Sequence, residues 1–244
     1  MATLTPVPVD EPLKVGMLLF PNLDQLDFTG PFEVFSRMPN STVHLIWKST
    51  NPVHDVRGLG LLPTITFSDS PRLDVLFVPG GPGQQALMDD AEVLGFLREQ
   101  ARTARCVVSV CTGSLILGAA GLLKGRRATT HWFSHSLLPY LGATPVKERI
   151  VVDGTLVTCG GVTSGIDGAL KVVAMLRGQA AAQEIQLYME YAPDPPFDSG
   201  SPEAASPGVL ESVRRAGQAL FEARLETCRR LSGKLQPPGQ TVVA

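Results

Sequence analysis

Cys111 is the residue in this chain best placed for covalent chemistry. It follows Cys106–Val110, which reads as a buried strand, and precedes Thr112-Gly113-Ser114, where an all-round apolar helix over Leu115–Ala120 begins, with Gly121 as its stop. A thiol at such a turn meets the first backbone N–H groups and the positive end of the helix dipole, and both favour the thiolate. The arrangement resembles a nucleophile elbow. The competing account of Cys111 is a small buried side chain filling core space. Cys106 reads as core. Cys159 precedes Gly160-Gly161 at another strand end, where either a place near the same pocket or a packing role fits, and Cys228 carries no functional signal.

Asp27 is the second candidate. It stands between Leu26 and Phe28, just before the Thr29-Gly30-Pro31 segment. Partial desolvation there would raise its pKa, and a protonated carboxyl can donate to a thiolate and serve as acid or base. Equally, Asp27 could cap a helix starting near Thr29, with Pro31 at the first helical position. Asp24 reads as a solvated loop residue. Gly80-Gly81, after the strand Leu73–Val78, would offer N–H donors to a developing negative charge or simply turn the chain. His131 and His135 share a helical spacing, yet no Glu-containing metalloprotease pattern surrounds them. No metal is expected, and His131 is kept as a pocket candidate. Neither a G-x-x-x-x-G-K-S/T phosphate loop nor a dinucleotide fingerprint is present, so no cofactor is expected.

The elements that must hold these residues alternate strand and helix. Leu13–Phe20 is a near-continuous apolar run ending at Pro21-Asn22, the pattern of a central strand. Val43–Lys48 gives a second strand and Gly58–Leu62 a short hairpin. Ala91–Ala104 places Val93, Leu94, Leu97 and Ala101 at helical spacing. Ile150–Val152, Asp153-Gly154 and Leu156–Thr158 read as a hairpin, followed by a small-residue helix from Ser164 to Leu176. This order predicts an α/β fold, a mostly parallel sheet with helices on both faces and ligands at the carboxyl ends of its strands. Residues 192–207 (APDPPFDSGSPEAASP) read as an extended surface segment, and Val209–Leu231 as a long helix. Its stripe of Val209, Val213, Ala216, Leu220 and Leu231 is expected to dock on the body or on a second subunit. The expected division is an N-terminal tail (1–12), one α/β domain (13–191), a Pro-rich segment with the C-terminal helix (192–235) and a loose tail (236–244).

Composition narrows the function classes. The 244 residues are 44% hydrophobic and 18% charged, enough apolar material for a core, which excludes a largely disordered chain. Lys+Arg total 21 against 23 Asp+Glu, with no dense basic run, so nucleic acid is not an expected partner. Mean hydropathy is +0.13, but the apolar runs break well short of the roughly 20 residues a membrane span needs. Residues 1–12 do not read as a signal peptide, and a cytoplasmic protein is expected. The four cysteines show neither C-x-x-C nor ligand spacing with the histidines.

Taken in order, the motifs resemble the ThiJ/PfpI superfamily, related in fold to class I glutamine amidotransferases, and within it the isonitrile hydratase branch. The resemblance rests on Leu18-Leu19-Phe20-Pro21 and Gln25-Leu26-Asp27-Phe28-Thr29-Gly30-Pro31. It continues through Val78-Pro79-Gly80-Gly81, Ser109-Val110-Cys111-Thr112-Gly113-Ser114, Ala128-Thr129-Thr130-His131-Trp132 and Gly160-Gly161-Val162-Thr163-Ser164-Gly165-Ile166-Asp167. It implies a flavodoxin-like three-layer sandwich. By the same resemblance Cys111 is the nucleophile, Asp27 its carboxyl partner, Thr112 a residue that helps position substrate and Gly81 a backbone donor. The implied reaction adds water to a small isonitrile, giving an N-substituted formamide through a thioimidate, without cofactor, in a homodimer. Cys159, where the branch more often has glycine, is a departure. Two rivals share the scaffold: a glyoxalase- or amidase-type thiol enzyme, which would more often carry Glu beside the cysteine, and a redox or ligand sensor related to AraC-type regulator domains. A regulator of that kind needs two helix-turn-helix motifs, more than the ~35 residues beyond the Pro-rich segment provide.

Overall fold

A computed structural model describes residues 5–235; the expected C-terminal tail lies outside the described residues. The apolar runs form the strands β1 (Leu13–Leu18), β2 (Ser41–Trp47), β3 (Ile65–Thr66), β4 (Val75–Val78), β5 (Cys106–Val110), β6 (Ile150–Asp153) and β7 (Leu156–Cys159). These make one seven-stranded sheet in the order β6-β7-β5-β4-β1-β2-β3, parallel at every pairing except the β6–β7 hairpin. The main helices are α1 (Gln25–Phe35), α2 (Ala91–Ala101), α3 (Gly113–Ala119), α4 (Ser164–Arg177), α5 (Gln179–Tyr188) and α6 (Pro207–Leu235). Continuous hydrophobicity in β4 and β5 follows from cover on both faces: every residue of both strands is buried. A short hairpin forms between Val53–His54 and Gly60–Leu61, so the expected Gly58–Leu62 segment supplies its second strand and the first lies further upstream. Phe20, Phe28, Phe35, Phe77, Met17 and Met88 are among the largest fully buried side chains of the core.

Register decides what meets at the carboxyl edge. Val78 is paired with Ser109 and Val110 with Cys159, so β4, β5 and β7 end level and release Gly80, Cys111 and Gly160 side by side. β1 lies next to β4 and delivers Asp24 and α1 to the same edge. The β1/β4 boundary is the point where successive crossovers part to opposite sides, the usual ligand-binding crevice of such sheets.

Three features differ from the sequence expectation. First, α1 starts at Gln25 rather than near Thr29, because Asp24 is the N-cap: its Oδ1 accepts the Leu26 N–H at 3.2 Å from an extended backbone. Asp24 is therefore a structural cap, not a solvated loop residue. Pro31 falls inside the helix, where it has no N–H to offer the Asp27 carbonyl one turn back. Second, the stretch before β1 is held in place: Val7 is buried, and Arg177 at the end of α4 donates to the carbonyls of Val7, Pro8, Glu11, Pro39 and Asn40. Third, α6 docks through its C-terminal half, so that of the expected stripe Leu231 is buried and Leu220 half-buried while the N-terminal members stay exposed. Val209 and Val213 are 48% and 50% exposed and Ala216 is exposed, while Arg224, Thr227, Cys228 and Leu231 are buried and Phe221 stacks on Phe133 at 5.4 Å. Phe133 belongs to a 3-10 helix over Trp132–Leu141 that the sequence analysis did not assign.

Candidate active site

Cys111 sits where β5 turns abruptly into α3. Its φ is +53°, the left-handed region that a non-glycine residue occupies only when its surroundings enforce it. The enforcement is visible on both sides of the residue. Its N–H reaches Gly160 O at 2.7 Å and Cys159 O at 3.2 Å, and its carbonyl accepts from Thr130 Oγ1 at 2.8 Å and Ser114 Oγ at 3.2 Å. Gly113 permits the turn: a Cβ there would lie 2.2 Å from Val78 O, so only glycine lets α3 start against the end of β4. Gly80 is equally confined, since its Cβ would stand 2.5 Å from Thr112 N and 2.8 Å from Asp27 Oδ2.

Asp27 lies in the first turn of α1, on its inner face, wholly buried. Oδ2 accepts the Gly80 N–H at 2.8 Å, Oδ1 is buried without a hydrogen-bond partner, and the interaction of the carboxyl with the Cys111 thiol favours its charged form. Burial, reinforced by the negative charge of Asp24, outweighs both and raises the carboxyl to about 7. Cys111 is 7% exposed, and burial together with the Asp27 charge holds its thiol well above the usual range. The Thr112 N–H and the Arg224 charge pull the other way. A carboxyl poised near neutrality against a thiol that does not ionise unaided is a proton-transfer pair: the base takes the S–H proton as sulfur attacks.

The glycine loop has a different role from the one expected. Gly80 gives its N–H to Asp27, and Gly81 gives its own to Thr112 Oγ1 at 3.2 Å. Both donors are engaged within the protein, so the loop fixes the acid and the elbow instead of presenting a free oxyanion hole. Thr112 is 1% exposed and its hydroxyl is tied to Gly81, which makes it a strut between two loops. His131 caps the 3-10 helix, its Nδ1 accepting the Phe133 N–H at 3.3 Å, which leaves the proton on Nε2. Burial and the Arg224 charge lower its pKa against the opposing pull of Asp24. Thr130, His131, Gly160 and Ser164 also wall a cavity of about 630 Å³ that reaches Lys147, Arg149 and Arg214. Among the described residues no three His, Cys, Asp or Glu side chains group closely enough to hold a metal ion.

The family model described as the DJ-1/PfpI family matches residues 13–175. The chain belongs to the DJ-1/PfpI family. This DJ-1/PfpI chain is 54% identical over 223 residues, 91% of its length and 98% of the relative's, to a Pseudomonas putida protein named isonitrile hydratase. A solved ThiJ/PfpI family protein from Pseudomonas syringae superposes with a TM-score of 0.87 at 40% identity, covering 89% of this chain and 91% of that one. A Caenorhabditis elegans protein named glutathione-independent glyoxalase is 26% identical over 132 residues, 53% of this chain and 70% of the relative.

Two residues of this DJ-1/PfpI site escaped the sequence analysis. Asp24 acts on Cys111, Asp27 and His131 alike. Arg224 enters from α6 and acts on Cys111 and His131. A signal for it existed: Phe221, Arg224, Cys228 and Leu231 recur at helical spacing, so an arginine stands within a buried stripe. Cys159 proves to be core. Its carbonyl helps hold the elbow, but its Sγ fills the space over Gly168, where a Cβ would be 2.2 Å away, and burial drives its pKa far up.

Proposed function

We propose that this protein is an isonitrile hydratase, a hydro-lyase converting R–N≡C and water to R–NH–CHO. The observation that carries it is the pairing of the elbow thiol with a buried carboxyl poised near neutrality, in a chain so similar to the Pseudomonas putida enzyme. Asp27 takes the Cys111 proton as sulfur bonds to the terminal isonitrile carbon. That carbon gains electron density, and Asp27 returns the proton to it, giving the thioimidate R–N=CH–S–Cys111. Water then adds to the same carbon, its proton passing by way of Asp27 to nitrogen. The C–S bond breaks as the adduct's hydroxyl gives its proton to the departing sulfur, and the formamide leaves with the thiol restored. Charge in the first step is quenched on carbon, so no oxyanion hole is required there, which agrees with the engaged N–H groups of Gly80 and Gly81.

Thr112 and His131 line the reacting centre as a strut and a neutral pocket wall. The protein works as a homodimer in the cytoplasm: Val209, Val213 and Phe197, left 48%, 50% and 79% exposed, supply apolar surface for a second copy. Among the described residues no helix is long and apolar enough to cross a membrane. A glyoxalase reading has the weaker support, because the acid on α1 is Asp27 and the glyoxalase relative is distant. Formamide production from cyclohexyl isocyanide, beside Cys111→Ala and with methylglyoxal consumption in parallel, tests the proposal. Turnover that vanishes in the variant is expected; methylglyoxal consumption without isonitrile turnover would replace the hydratase by its rival. Light scattering should give twice the monomer mass.

A further inference from the structure

Arg224 is a buried guanidinium without a carboxylate. It is 6% exposed and its partners are neutral: Nε donates to Gln84 Oε1 at 2.8 Å and Nη1 to Ser134 Oγ at 3.4 Å, while Nη2 meets no protein acceptor among the described residues. An unpaired buried cation is costly, and its retention marks a place where negative charge is to be held. Both partners belong to segments that wall the thiol. The Gln84 N–H donates to Gly81 O, Gly81 is tied to Thr112 beside Cys111, and the Ser134 N–H donates to His131 O. The guanidinium thus joins the glycine loop to the His131 segment from a helix late in the chain.

We propose that Arg224 is a positioning residue of the hydration reaction, the counter-charge that lowers the cost of moving the Cys111 proton to Asp27. The inference rests on Cys111 being the nucleophile. In that transfer the S–H bond breaks, its electron pair stays on sulfur, and the proton moves to the Asp27 carboxylate, so the net charge is unchanged and only its location shifts. The charged groups facing the thiol are Asp27 from α1, Asp24 from the loop before it, and Arg224. Both aspartates oppose the thiolate; Arg224 supports it and is not among the groups that shift Asp27. Its charge therefore favours sulfur over the carboxylate as the holder of the negative charge. His131, also within reach of Arg224, is kept neutral by burial and by that same charge. Cys228, one turn along α6, is pushed up to about 12 and stays a neutral thiol.

The test compares wild type, Arg224→Gln, Arg224→Met, Arg224→Lys and Arg230→Met. Arg230 pairs with Asp89 on the exposed side of the same helix, so its loss perturbs docking without touching the site. Iodoacetamide labelling of the Cys111 peptide, followed by mass spectrometry from pH 5 to 10, reads the thiolate directly, and kcat and KM are measured on the same samples. Removing the charge should lower labelling at pH 7 about tenfold or more, moving the profile up by roughly a unit, and should lower kcat with KM nearly constant. Lysine should restore part of both, and Arg230→Met should match wild type. Either neutral variant suffices if the other fails to fold. An unshifted labelling profile in a folded neutral variant would overturn the proposal, as would an equal shift in Arg230→Met. Should the protein be inactive on isonitriles while the labelling profile still moves with Arg224, the hydratase reading falls and Arg224 stands only as the counter-charge of the Cys111 thiolate.

Discussion

Replacing Asp27 by Asn should abolish turnover and at the same time make the protein more stable at neutral pH. The carboxyl ionises near 3.8 in the unfolded chain and at about 7 in the folded one, with burial the first cause and Asp24 the second. Between those values the folded state keeps a proton that the unfolded state has released, so stability falls as pH rises. The loss is ~1.4 kcal/mol per pH unit across the window, absent below its lower end and levelling above its upper end at about 4 kcal/mol. Asparagine does not ionise, and its amide oxygen can keep the Gly80 N–H. Against that gain, its NH2 replaces Oδ1, which is buried without a hydrogen-bond partner, and an underpaired buried donor costs ~1–3 kcal/mol. The variant should therefore exceed wild type by ~1–3 kcal/mol at pH 8 and fall to equal or lower stability at pH 4. Urea unfolding of both proteins at pH 4, 6 and 8, followed by tryptophan fluorescence, measures the difference. A difference that does not grow between pH 4 and 7 would refute the raised carboxyl. The same ionisation should appear in wild-type kcat/KM, which should drop about tenfold from pH 8 to pH 6 if Asp27 must start as the base.

Other consequences follow from the elbow and the packing around it. Because Cys111 holds a left-handed φ, Cys111→Gly should melt higher than Cys111→Ala by an amount equivalent to ~1 kcal/mol, with both inactive; equal melting points would deny strain at the elbow. Gly168→Ala should cost ~1–3 kcal/mol through its clash with Cys159 Sγ, and adding Cys159→Ala should recover most of it. A double-mutant cycle with no coupling would contradict that contact. Arg177→Met should cost ~3 kcal/mol by orphaning main-chain carbonyls that now accept from a charged donor. It should also speed hydrogen exchange at Val7, whose N–H is bonded to Leu176 O; unchanged protection there would show that the N-terminal stretch is held by something else.

Much of the site was written locally. A continuous apolar run, a small-residue turn and an apolar helix define the Cys106–Ala119 elbow within some fifteen residues, and the β-strand edges carrying Gly80 and Gly160 are equally local signals. Asp27 was recognisable as a candidate because a carboxyl between Leu26 and Phe28 is unusual, but whether it capped a helix starting near Thr29 or faced the thiol was undecided, because the true cap, Asp24, reads locally as a loop residue. The 3-10 helix over Trp132–Leu141 escaped notice because its tighter period and interior proline obscure the 3.6-residue pattern.

What only the tertiary structure decided is the electrostatic character of the site. Burial of Asp27 depends on Gly80 arriving from β4, and its raised pKa on Asp24 being fixed nearby as a cap. The guanidinium that acts on the thiol, Arg224, comes from α6, more than a hundred residues further along, in a helix whose apolar stripe docks only toward its C-terminal end. Helices, strands and turns follow from interactions among near neighbours, so the chain order reveals them. Charge and desolvation act through space over a few ångströms, and those distances exist only after strands from the whole chain have been set in register.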